Sequence, residues 1–508
     1  MLAKVCSAAV QGIEAFPVEV EVNCASGNTP KIIVVGLPDA AVREAQDRVC
    51  TALKNSGCRL PMGRTTINLA PADVRKEGPI YDLPIAIGML AASEQLFTDQ
   101  LENFVLVGEL ALNGAIRPIK GLLPIALRAK DEGKVGVLVP VENAPEAAVV
   151  NGLSVIPVNS LHQAAGFLAG GERLSPLKMD ADLFADAWQD ELDMADVKGQ
   201  ESVKRSLEIA AAGGHNALLI GPPGTGKSML AKRLPSILPP LTLDEALETT
   251  KVHSIVGLLQ PGQPLVTRRP FRDPHHTASD AGLLGGNQNP TPGEISLAHN
   301  GVLFLDELPE FKRSVLETMR QPLEAGTVTI SRAAGTMTFP ARFQLIAAMN
   351  PSPDGKMPAE SSCTPHEIQK YLGKISGPML DRIDIHVEVP QVKFRDISDA
   401  KPGEPSSTIR HRVIAAREIQ RLRYADKPDI PCNARMGTKE LREHCRLDAA
   451  TSDLLKMAMD ENNLSARAYD RILKVGRTIA DLAASENVTS EHIFEAIQYR
   501  SLDRQIWG

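Results

Sequence analysis

The chain has 508 residues, which is too long for one ordinary domain and predicts two or three packed units. Its hydrophobic fraction of 43% allows sizeable cores, and its formal net charge of −7 neither indicates nor excludes a nucleic-acid partner. The seven cysteines lack metal-finger and redox-motif spacing, which favours reduced thiols. No window approaches the roughly 18 uninterrupted apolar residues of a membrane span. We therefore expect a cytoplasmic protein with no membrane partner.

Residues 1–169 alternate short strands with helices and predict an α/β domain without a nucleotide fingerprint. The segment FPVEVEVN alternates valines with polar residues, as a half-buried strand does. KIIVV indicates a buried strand. The helix that follows has one apolar face, formed by Val42, Ala45, Val49 and Leu53. Asn113-Gly114 separates two β-rich runs and predicts a hairpin, because both turn positions require positive φ.

Three further segments complete the predicted organisation. Residues 170–192 are rich in Gly, Pro and Asp and are predicted to be a linker. Residues 193–390 contain the phosphate motifs, and residues 391–508 are predicted to be helical. Two apolar stripes with helical spacing support that last prediction: Ile409, Val413, Ala416 and Ile419, then Ile472, Val475, Ile479 and Leu482.

The octet GPPGTGKS fits the phosphate-binding pattern G-x-x-x-x-G-K-[ST], with an apolar strand before it and a helical run after it. Backbone N–H groups of such a loop wrap the phosphates, Lys227 reaches the outer phosphates, and the Ser228 hydroxyl is placed to hold Mg²⁺. ATP and Mg²⁺ are therefore the expected ligands. The predicted nucleotide-binding residues are Gly221, Pro222, Pro223, Gly224, Thr225, Gly226, Lys227 and Ser228.

Two further strands are predicted to end in polar side chains. GVLFLDELPEF contains a buried strand that presents Asp306 toward the metal and Glu307 toward the attacking water. FQLIAAMNP ends in Asn350, a neutral group that could orient this water. The alternative for Asn350 is a turn-forming role before Pro351.

Two arginines are candidate stabilisers of phosphate charge. Arg382 lies just before an apolar strand, where its guanidinium could project across a subunit boundary toward a neighbour's γ-phosphate. Arg467 follows Ser465, a predicted N-cap, so it lies in the first turn of a helix, where the helix dipole favours phosphate. For each arginine, an ordinary surface ion pair is the alternative.

With these parts in order, residues 193–508 resemble AAA+ ATPases of the magnesium-chelatase-like clade, with a P-loop α/β core and a helical lid. Long blocks resemble the ComM/YifB family nearly end to end, among them DVKGQESVKRSLEIAAAGGHNALLIGPPGTGKS, SGPMLDRIDIHVEVP and SARAYDRILKVGRTIADLA. The resemblance implies a homo-hexameric ring. It also implies Asp306 and Glu307 as the Walker B pair, Asn350 as sensor 1, Arg382 as a trans arginine finger and Arg467 as sensor 2.

Residues 1–169 resemble the catalytic fold of Lon protease, an α+β fold also described as ribosomal-protein-S5-domain-2-like. NLAPADVRKEGPIYDLPIAIG stands where that protease has its nucleophile loop, and GELALNGAIRPIKGLLPIALRA where it has its second catalytic segment. Ile80, Tyr81 and Asp82 stand where the serine belongs, and Leu122 and its neighbours stand where the lysines belong. Neither member of a Ser-Lys dyad is present, so we expect no peptidase activity.

Many relatives carry four cysteines after the sensor-1 strand, in two C-x-C pairs. This chain has Ser352, Asp354 and Ser361 in that region, with Cys363 alone. One thiol cannot hold structural zinc by itself, so we expect no zinc.

Two inserts beyond a minimal AAA+ core are candidate contacts for the substrate. Residues 268–300 form a long irregular insert, and its His275-His276 pair is predicted to belong to a hydrogen-bonded loop rather than a metal site. GTVTISRAAGTMTFPARF predicts a β-hairpin, which in ring ATPases of this clade projects into the central pore. Arg332 near its tip is the candidate DNA contact, the alternative being a solubilising group on an exposed turn.

The resemblance implies a hexameric, ATP-dependent DNA motor that promotes branch migration of recombination intermediates during natural transformation. Its substrate would be single-stranded or branched DNA. Two alternatives stay open: a chelatase-type motor that remodels a protein partner, and a regulator whose ATPase sets its oligomeric state. No D-x-S-x-S metal-adhesion segment occurs in the sequence. Salt-dependent, sequence-tolerant DNA binding separates the first function from both alternatives.

Overall fold

A computed structural model of the chain describes residues 1–25, 27, 29–74, 76–179, 192–286, 290–332, 335–358, 360–391, 403–427, 429–461 and 464–500. These residues form two compact units. Unit 1 contains the described residues of Met1–Ala185 and Leu243–Thr267, and unit 2 contains those of Asp186–Thr242 and Arg268–Gly508. Most of the expected linker lies outside the described residues, and the domain boundaries inferred from the sequence stay predictions. No helix in the described ranges is long and apolar enough to cross a membrane.

Unit 1 contains a seven-stranded mixed sheet and one short hairpin. Its strands are β1 Leu2–Gln11, β2 Glu14–Cys24, β3 Lys31–Val35, β4 Arg64–Ala70, β5 Phe104–Leu106, β6 Glu109–Leu110, β7 Ile116–Arg117, β8 Gly136–Pro140 and β9 Ser154–Val158. The strand order in the sheet is β3-β4-β2-β1-β5-β8-β9, and β6 pairs with β7. Its α-helices are Ala40–Asn55, Asp82–Ala92, Leu122–Asp131, Ala144–Ala148, Leu161–Leu168 and Leu243–Val256.

Most of the patterns expected in unit 1 are confirmed. The alternating valines of β2 have their side chains buried, and the helix Ala40–Asn55 buries its predicted apolar face. The strands β6 and β7 pair antiparallel around Asn113-Gly114. The prediction that KIIVV is buried was wrong: among the described strands β3 lies at the edge of the sheet, next to β4, and its Val35 is 42% exposed. A continuous apolar run does not reveal whether the strand lies at the centre or the edge of a sheet.

Asp82 forms a buried ion pair in the segment that resembles a nucleophile loop. Its carboxylate is fully buried and accepts hydrogen bonds from Arg48 Nε at 2.9 Å and Nη2 at 3.0 Å. The backbone N–H of Leu110 donates to the same carboxylate at 3.2 Å. Burial raises the pKa of Asp82, and the hydrogen bonds from Arg48 oppose that rise. This ion pair joins two helices to β6, so the segment serves packing in this chain.

The segment Leu243–Thr267 is built into the core of unit 1. The backbone N–H of Gly121 donates to the carbonyl oxygen of Ser254 at 3.2 Å, and the Ser254 hydroxyl donates to the buried carboxylate of Glu146. Glu146 also accepts from the backbone N–H of Leu123 at 2.7 Å. The chain therefore returns to unit 1 between the phosphate loop and the next strand of unit 2.

Unit 2 contains a five-stranded parallel sheet, two short two-stranded sheets and most of the helices. Its strands are β10 Ala217–Ile220, β11 Phe271–Arg272, β12 Gly285–Gly286, β13 Thr291–Pro292, β14 Val302–Leu305, β15 Thr327–Arg332, β16 Gly335–Pro340, β17 Gln344–Met349 and β18 Ile385–Glu388. The order in the parallel sheet is β11-β14-β17-β10-β18, while β12 pairs with β13 and β15 with β16.

The helices of unit 2 fall into two groups. Those among the strands are Glu201–Gly213, Lys227–Arg233, Asp280–Leu284, Glu294–Leu297, Arg313–Thr318, Arg320–Ala325, Pro365–Leu372 and Gly377–Leu380. Those of the C-terminal helical region are Ser406–Arg423, Thr438–His444, Ala449–Glu461, Ala466–Leu482 and Ser490–Gln498. Apolar side chains from both predicted helical stripes are buried in one hydrophobic core with β10, β14 and β17. The expected α/β fold with a helical C-terminal region is confirmed.

Candidate functional site

The candidate nucleotide site lies at the carboxyl ends of three adjacent strands. β17 pairs in parallel with β10 on one side and with β14 on the other. Carboxyl ends of parallel strands share one edge of a sheet, so the loop after β10, Asp306 after β14 and Asn350 after β17 come together. The structure thus brings Lys227, Ser228, Asp306 and Asn350 into one cluster.

The loop between β10 and the helix Lys227–Arg233 depends on its glycines. Gly224 and Gly226 have φ values of 76° and 86°, which side chains with a Cβ rarely adopt. A Cβ added to Gly221 would lie 2.3 Å from the carbonyl oxygen of Val389. The loop therefore turns tightly into the start of a helix, which is the backbone arrangement that phosphate-binding loops use.

Lys227 links the phosphate loop to the end of β17. Its Nζ donates to the carbonyl oxygens of Gly221 at 2.7 Å and Pro222 at 2.9 Å, and to Asn350 Oδ1 at 3.2 Å. Burial lowers the pKa of Lys227, and the negative charge of Asp306 opposes that change. An ammonium group held inside the loop fits the role of holding phosphate oxygens.

Ser228 and Asp306 supply two oxygen donors that suit Mg²⁺. The Ser228 hydroxyl donates to Asp306 Oδ2 at 2.5 Å, and Asp306 Oδ1 accepts from the backbone N–H of Glu307 at 2.9 Å. Hydroxyl, carboxylate and water oxygens are the ligands that Mg²⁺ prefers. Bound Mg²⁺ neutralises charge on the phosphates. These two residues would hold it, directly or through water.

Glu307 contacts a histidine that the sequence did not identify as functional. His276 Nδ1 lies 3.2 Å from Glu307 Oε2, and the Glu307 side chain is 57% exposed. The ring centroids of His276 and its neighbour His275 lie 4.2 Å apart, and His275 Nδ1 lies 2.8 Å from Thr277 Oγ1. The hydrogen-bonded loop expected for this pair is confirmed. The sequence carried no signal of the contact with Glu307, because that contact depends on the pairing of β11 with β14.

The two candidate arginines pair with acids in the part of the chain that the structure describes. The Arg382 guanidinium donates to the Glu324 carboxylate and to the carbonyl oxygen of Pro378. Arg467 Nη1 donates to Asp381 Oδ2 at 2.8 Å. Arg467 lies in the first helical turn as expected, because the helix begins at Ala466 behind the N-cap Ser465. Its role as sensor 2, and that of Arg382 as a finger, stay predictions.

The two inserts lie against each other. A Cβ added to Gly285 in β12 would lie 2.8 Å from Ile330 Cδ1 in β15, and one added to Gly286 would lie 3.6 Å from Arg332 Nη2. The predicted hairpin is confirmed, with Arg332 opposite Gly335. The two residues between them lie outside the described chain. Arg332 is exposed, and its Nη1 donates to the carbonyl oxygen of its neighbour Ser331 at 3.4 Å.

A single carboxylate organises the loop that follows β17. Asp354 accepts hydrogen bonds from the hydroxyl groups of Ser352 at 2.6 Å, Ser361 at 2.9 Å and Ser362 at 2.9 Å. These bonds hold the pKa of Asp354 well below its usual range. Within the described ranges, no group of three or more His, Cys, Asp or Glu side chains could hold a metal ion. Asp354 therefore ties together the serine-rich loop that follows β17.

Three protein-family models of a magnesium-chelatase subunit match the chain. The model described as "Magnesium chelatase, subunit ChlI" matches residues 193–397, "Subunit ChlI of Mg-chelatase" matches residues 20–143, and the subunit's C-terminal model matches residues 403–500. Together they span most of both compact units.

Full-length relatives extend this similarity. "Uncharacterized protein YifB" of Escherichia coli is 46% identical over 498 residues, which cover 98% of this chain and 96% of that protein. "Competence protein ComM" of Haemophilus influenzae is 46% identical over 512 residues, covering 99% and 98%. The more distant "DNA replication licensing factor mcm7" of Schizosaccharomyces pombe is 25% identical over 342 residues, covering 61% of this chain and 40% of that protein.

Replacing His276 by Ala should raise ATP hydrolysis in the absence of any other partner, because the Glu307 carboxylate loses the contact that holds it toward the insert. An exposed polar contact of this kind contributes up to about 1 kcal/mol, so the expected rise is at most about fivefold. A steady-state phosphate-release assay measures it. His275→Ala is the matched control, since it removes the neighbouring ring but leaves the contact between His276 and Glu307. A fall in turnover specific to His276→Ala would contradict the restraint on Glu307.

Replacing Asp354 by Asn should loosen the loop at neutral pH but not in acid. The pKa of Asp354 is lowered in the folded protein, so its stabilising effect is fully present above its unfolded value of about 4 and is lost as pH falls through the folded value. Amide hydrogen exchange in residues 352–364 measures the effect at several pH values. Asp453→Asn, which changes an exposed helical aspartate, is the control. Equal protection in the wild type and Asp354→Asn at pH 7 would contradict it.

Proposed function

The chain belongs to the ComM/YifB family of magnesium-chelatase-like AAA+ proteins, and from this premise we propose that it is a hexameric, ATP-driven DNA motor of the cytoplasm. Membership of this AAA+ family implies ATPase activity. The observation that carries the proposal is the cluster at the strand ends, where Lys227 contacts Asn350 and Ser228 contacts Asp306. These contacts come from three separate sequence motifs, which supports one shared nucleotide site.

In the proposed hydrolysis, each residue of the cluster has a separate task. Lys227 and the loop amides hold the phosphates, while Ser228 and Asp306 hold Mg²⁺. Glu307 accepts a proton from the attacking water, and Asn350 orients that water. The exposed Glu307 carboxylate can turn toward the water once His276 releases it, which makes the insert a regulator of turnover.

Arginines from beyond the phosphate loop complete the proposed site. Arg382 acts in trans on the nucleotide of the neighbouring subunit, as an arginine finger does. Arg467 acts as sensor 2 from the first turn of its helix. In the described chain both guanidinium groups are paired with exposed or half-buried acids, Glu324 and Asp381. Ring assembly would exchange these ion pairs for phosphate contacts.

The proposed substrate is single-stranded or branched DNA, on which the ring drives branch migration during natural transformation. Similarity over the full length to a protein named for competence supports a role in DNA uptake or recombination. The distant relative named as a DNA replication licensing factor supports a DNA substrate. The surface that the two inserts form presents Arg332 as an exposed cation, which suits sequence-independent contact with phosphate groups.

A chelatase-type motor that remodels a protein partner is the second candidate function. The family models, all described as parts of a magnesium-chelatase subunit, favour it. Arginines of the first C-terminal helix, Ser406–Arg423, offer little to DNA, because several are paired within the fold. Arg412 pairs with Glu208 and Glu404, and Arg423 pairs with Asp481. The DNA proposal therefore rests on the inserts and not on this helix.

Replacing Lys227 by Ala should abolish branch migration while leaving DNA binding intact. The phosphates of ATP lose the ammonium group that holds them, whereas Arg332, the proposed DNA contact, is unchanged.

Replacing Arg332 by Ala should weaken binding to all DNA sequences alike. It should also reduce the slope of the logarithm of the binding constant against the logarithm of the salt concentration by about one unit per lost contact. Fluorescence anisotropy at several salt concentrations and a labelled-junction assay measure the two effects. Arg128→Ala, in an exposed pair with Glu132, is the control. Retained branch migration by Lys227→Ala would contradict the proposed ATP-driven mechanism.

A further inference from the structure

A buried polar cluster connects the helix Ala466–Leu482 to the strand that follows Arg382. His215 is fully buried, and its Nδ1 lies 3.0 Å from Asp384 Oδ2. Its Nε2 lies 2.8 Å from Thr478 Oγ1 on the helix. Arg471 Nη1, from the same helix, lies 3.0 Å from Asp384 Oδ1. We call these four residues the His215 cluster: His215, Asp384, Arg471 and Thr478.

The charges of this cluster favour one arrangement of its elements. Burial opposes ionisation of Asp384, but Arg471 and His215 outweigh it and hold the pKa of that carboxyl well below its usual range. Burial lowers the pKa of His215, and its two ring nitrogens contact the Asp384 carboxylate and the Thr478 hydroxyl. Separating buried partners leaves an uncompensated charge, which is strongly unfavourable. The helix and the strand are therefore held in one register.

This register fixes the backbone that carries Arg382. Asp384 lies two residues after Arg382, and its backbone N–H donates to the carbonyl oxygen of Asn216 at 3.0 Å. The Asn216 side chain donates to the carbonyl oxygen of Arg382 at 2.8 Å. Its Oδ1 accepts from the backbone N–H of Leu345 at 2.8 Å, at the start of β17. Arg382 is thus attached to the sheet by Asn216 and to the C-terminal helix by Asp384.

We propose that His215, Asp384 and Arg471 are positioning residues that hold Arg382 where it can complete the nucleotide site of a neighbouring subunit. This inference rests on the proposed trans role of Arg382. Within the described residues, the contacts of the cluster join His215 to Asp384, just before β18, and to the C-terminal helix, not to the phosphate loop. A subunit without the cluster therefore keeps its own phosphate loop, Asp306 and Glu307, and loses the support that the cluster gives to Arg382. Arg467 lies on the same helix as Arg471 but is held by Asp381, outside the cluster.

Mixing of inactive subunits tests this positioning role. Asp384→Asn alone should bind nucleotide normally but hydrolyse it slowly, and Lys227→Ala alone should be inactive. An equal mixture should regain roughly a quarter of wild-type ATP turnover, because random assembly pairs an intact site with an intact Arg382 at that fraction of interfaces. Arg471→Gln should behave like Asp384→Asn, and Arg471→Lys, which keeps the charge, should restore most of the activity. Thermal unfolding of each variant identifies any that does not fold.

A control mixture separates this inference from the proposed function. Arg382→Ala mixed with Lys227→Ala should regain the same fraction of turnover if Arg382 acts in trans. Recovery in the control, together with no recovery for folded Asp384→Asn and Arg471→Gln, would overturn the positioning role alone. No recovery in the control would overturn the trans role of Arg382, and the positioning role with it.

Discussion

The parallel pairing of β10, β14 and β17 is the constraint on which the candidate site depends. It brings three segments to one sheet edge, although Ser228 and Asn350 lie 122 positions apart in the sequence. Apolar side chains of these strands are buried on both faces of the sheet and hold the strands together. The contacts of Lys227 with Asn350 and of Ser228 with Asp306 follow from that packing.

Much of this arrangement was predictable because it is encoded locally. The glycine-rich octet, the apolar strands and the polar residues that end them are contiguous in sequence, and strand order then follows from the fold. The hairpin with Arg332 and the N-cap at Ser465 were also predictable from short patterns. The edge position of β3 was not, because its apolar run looks the same whether one neighbour or two cover the strand.

Contacts between distant parts of the chain account for what the sequence did not reveal. His276 meets Glu307 only because β11 and β14 are adjacent, and the serine hydroxyl groups meet Asp354 only because their loop folds back. His215 and Thr478, 263 positions apart, meet through the packing of a C-terminal helix on the sheet. In each case the local sequence around a polar residue does not indicate its role, which depends on a partner that is distant in the sequence or brought close by the fold. The same contacts link the inserts and the C-terminal helices to the residues proposed for hydrolysis.

ATP turnover by the purified protein, titrated with single-stranded, duplex and four-way-junction DNA at two salt concentrations, tests the central claim most directly. The account predicts that DNA stimulates turnover, most strongly with single-stranded or branched DNA and less at the higher salt concentration, because phosphate contacts dominate binding. Turnover that responds to none of these DNAs at either salt concentration would contradict it and would favour a motor acting on a protein partner or a regulatory ATPase.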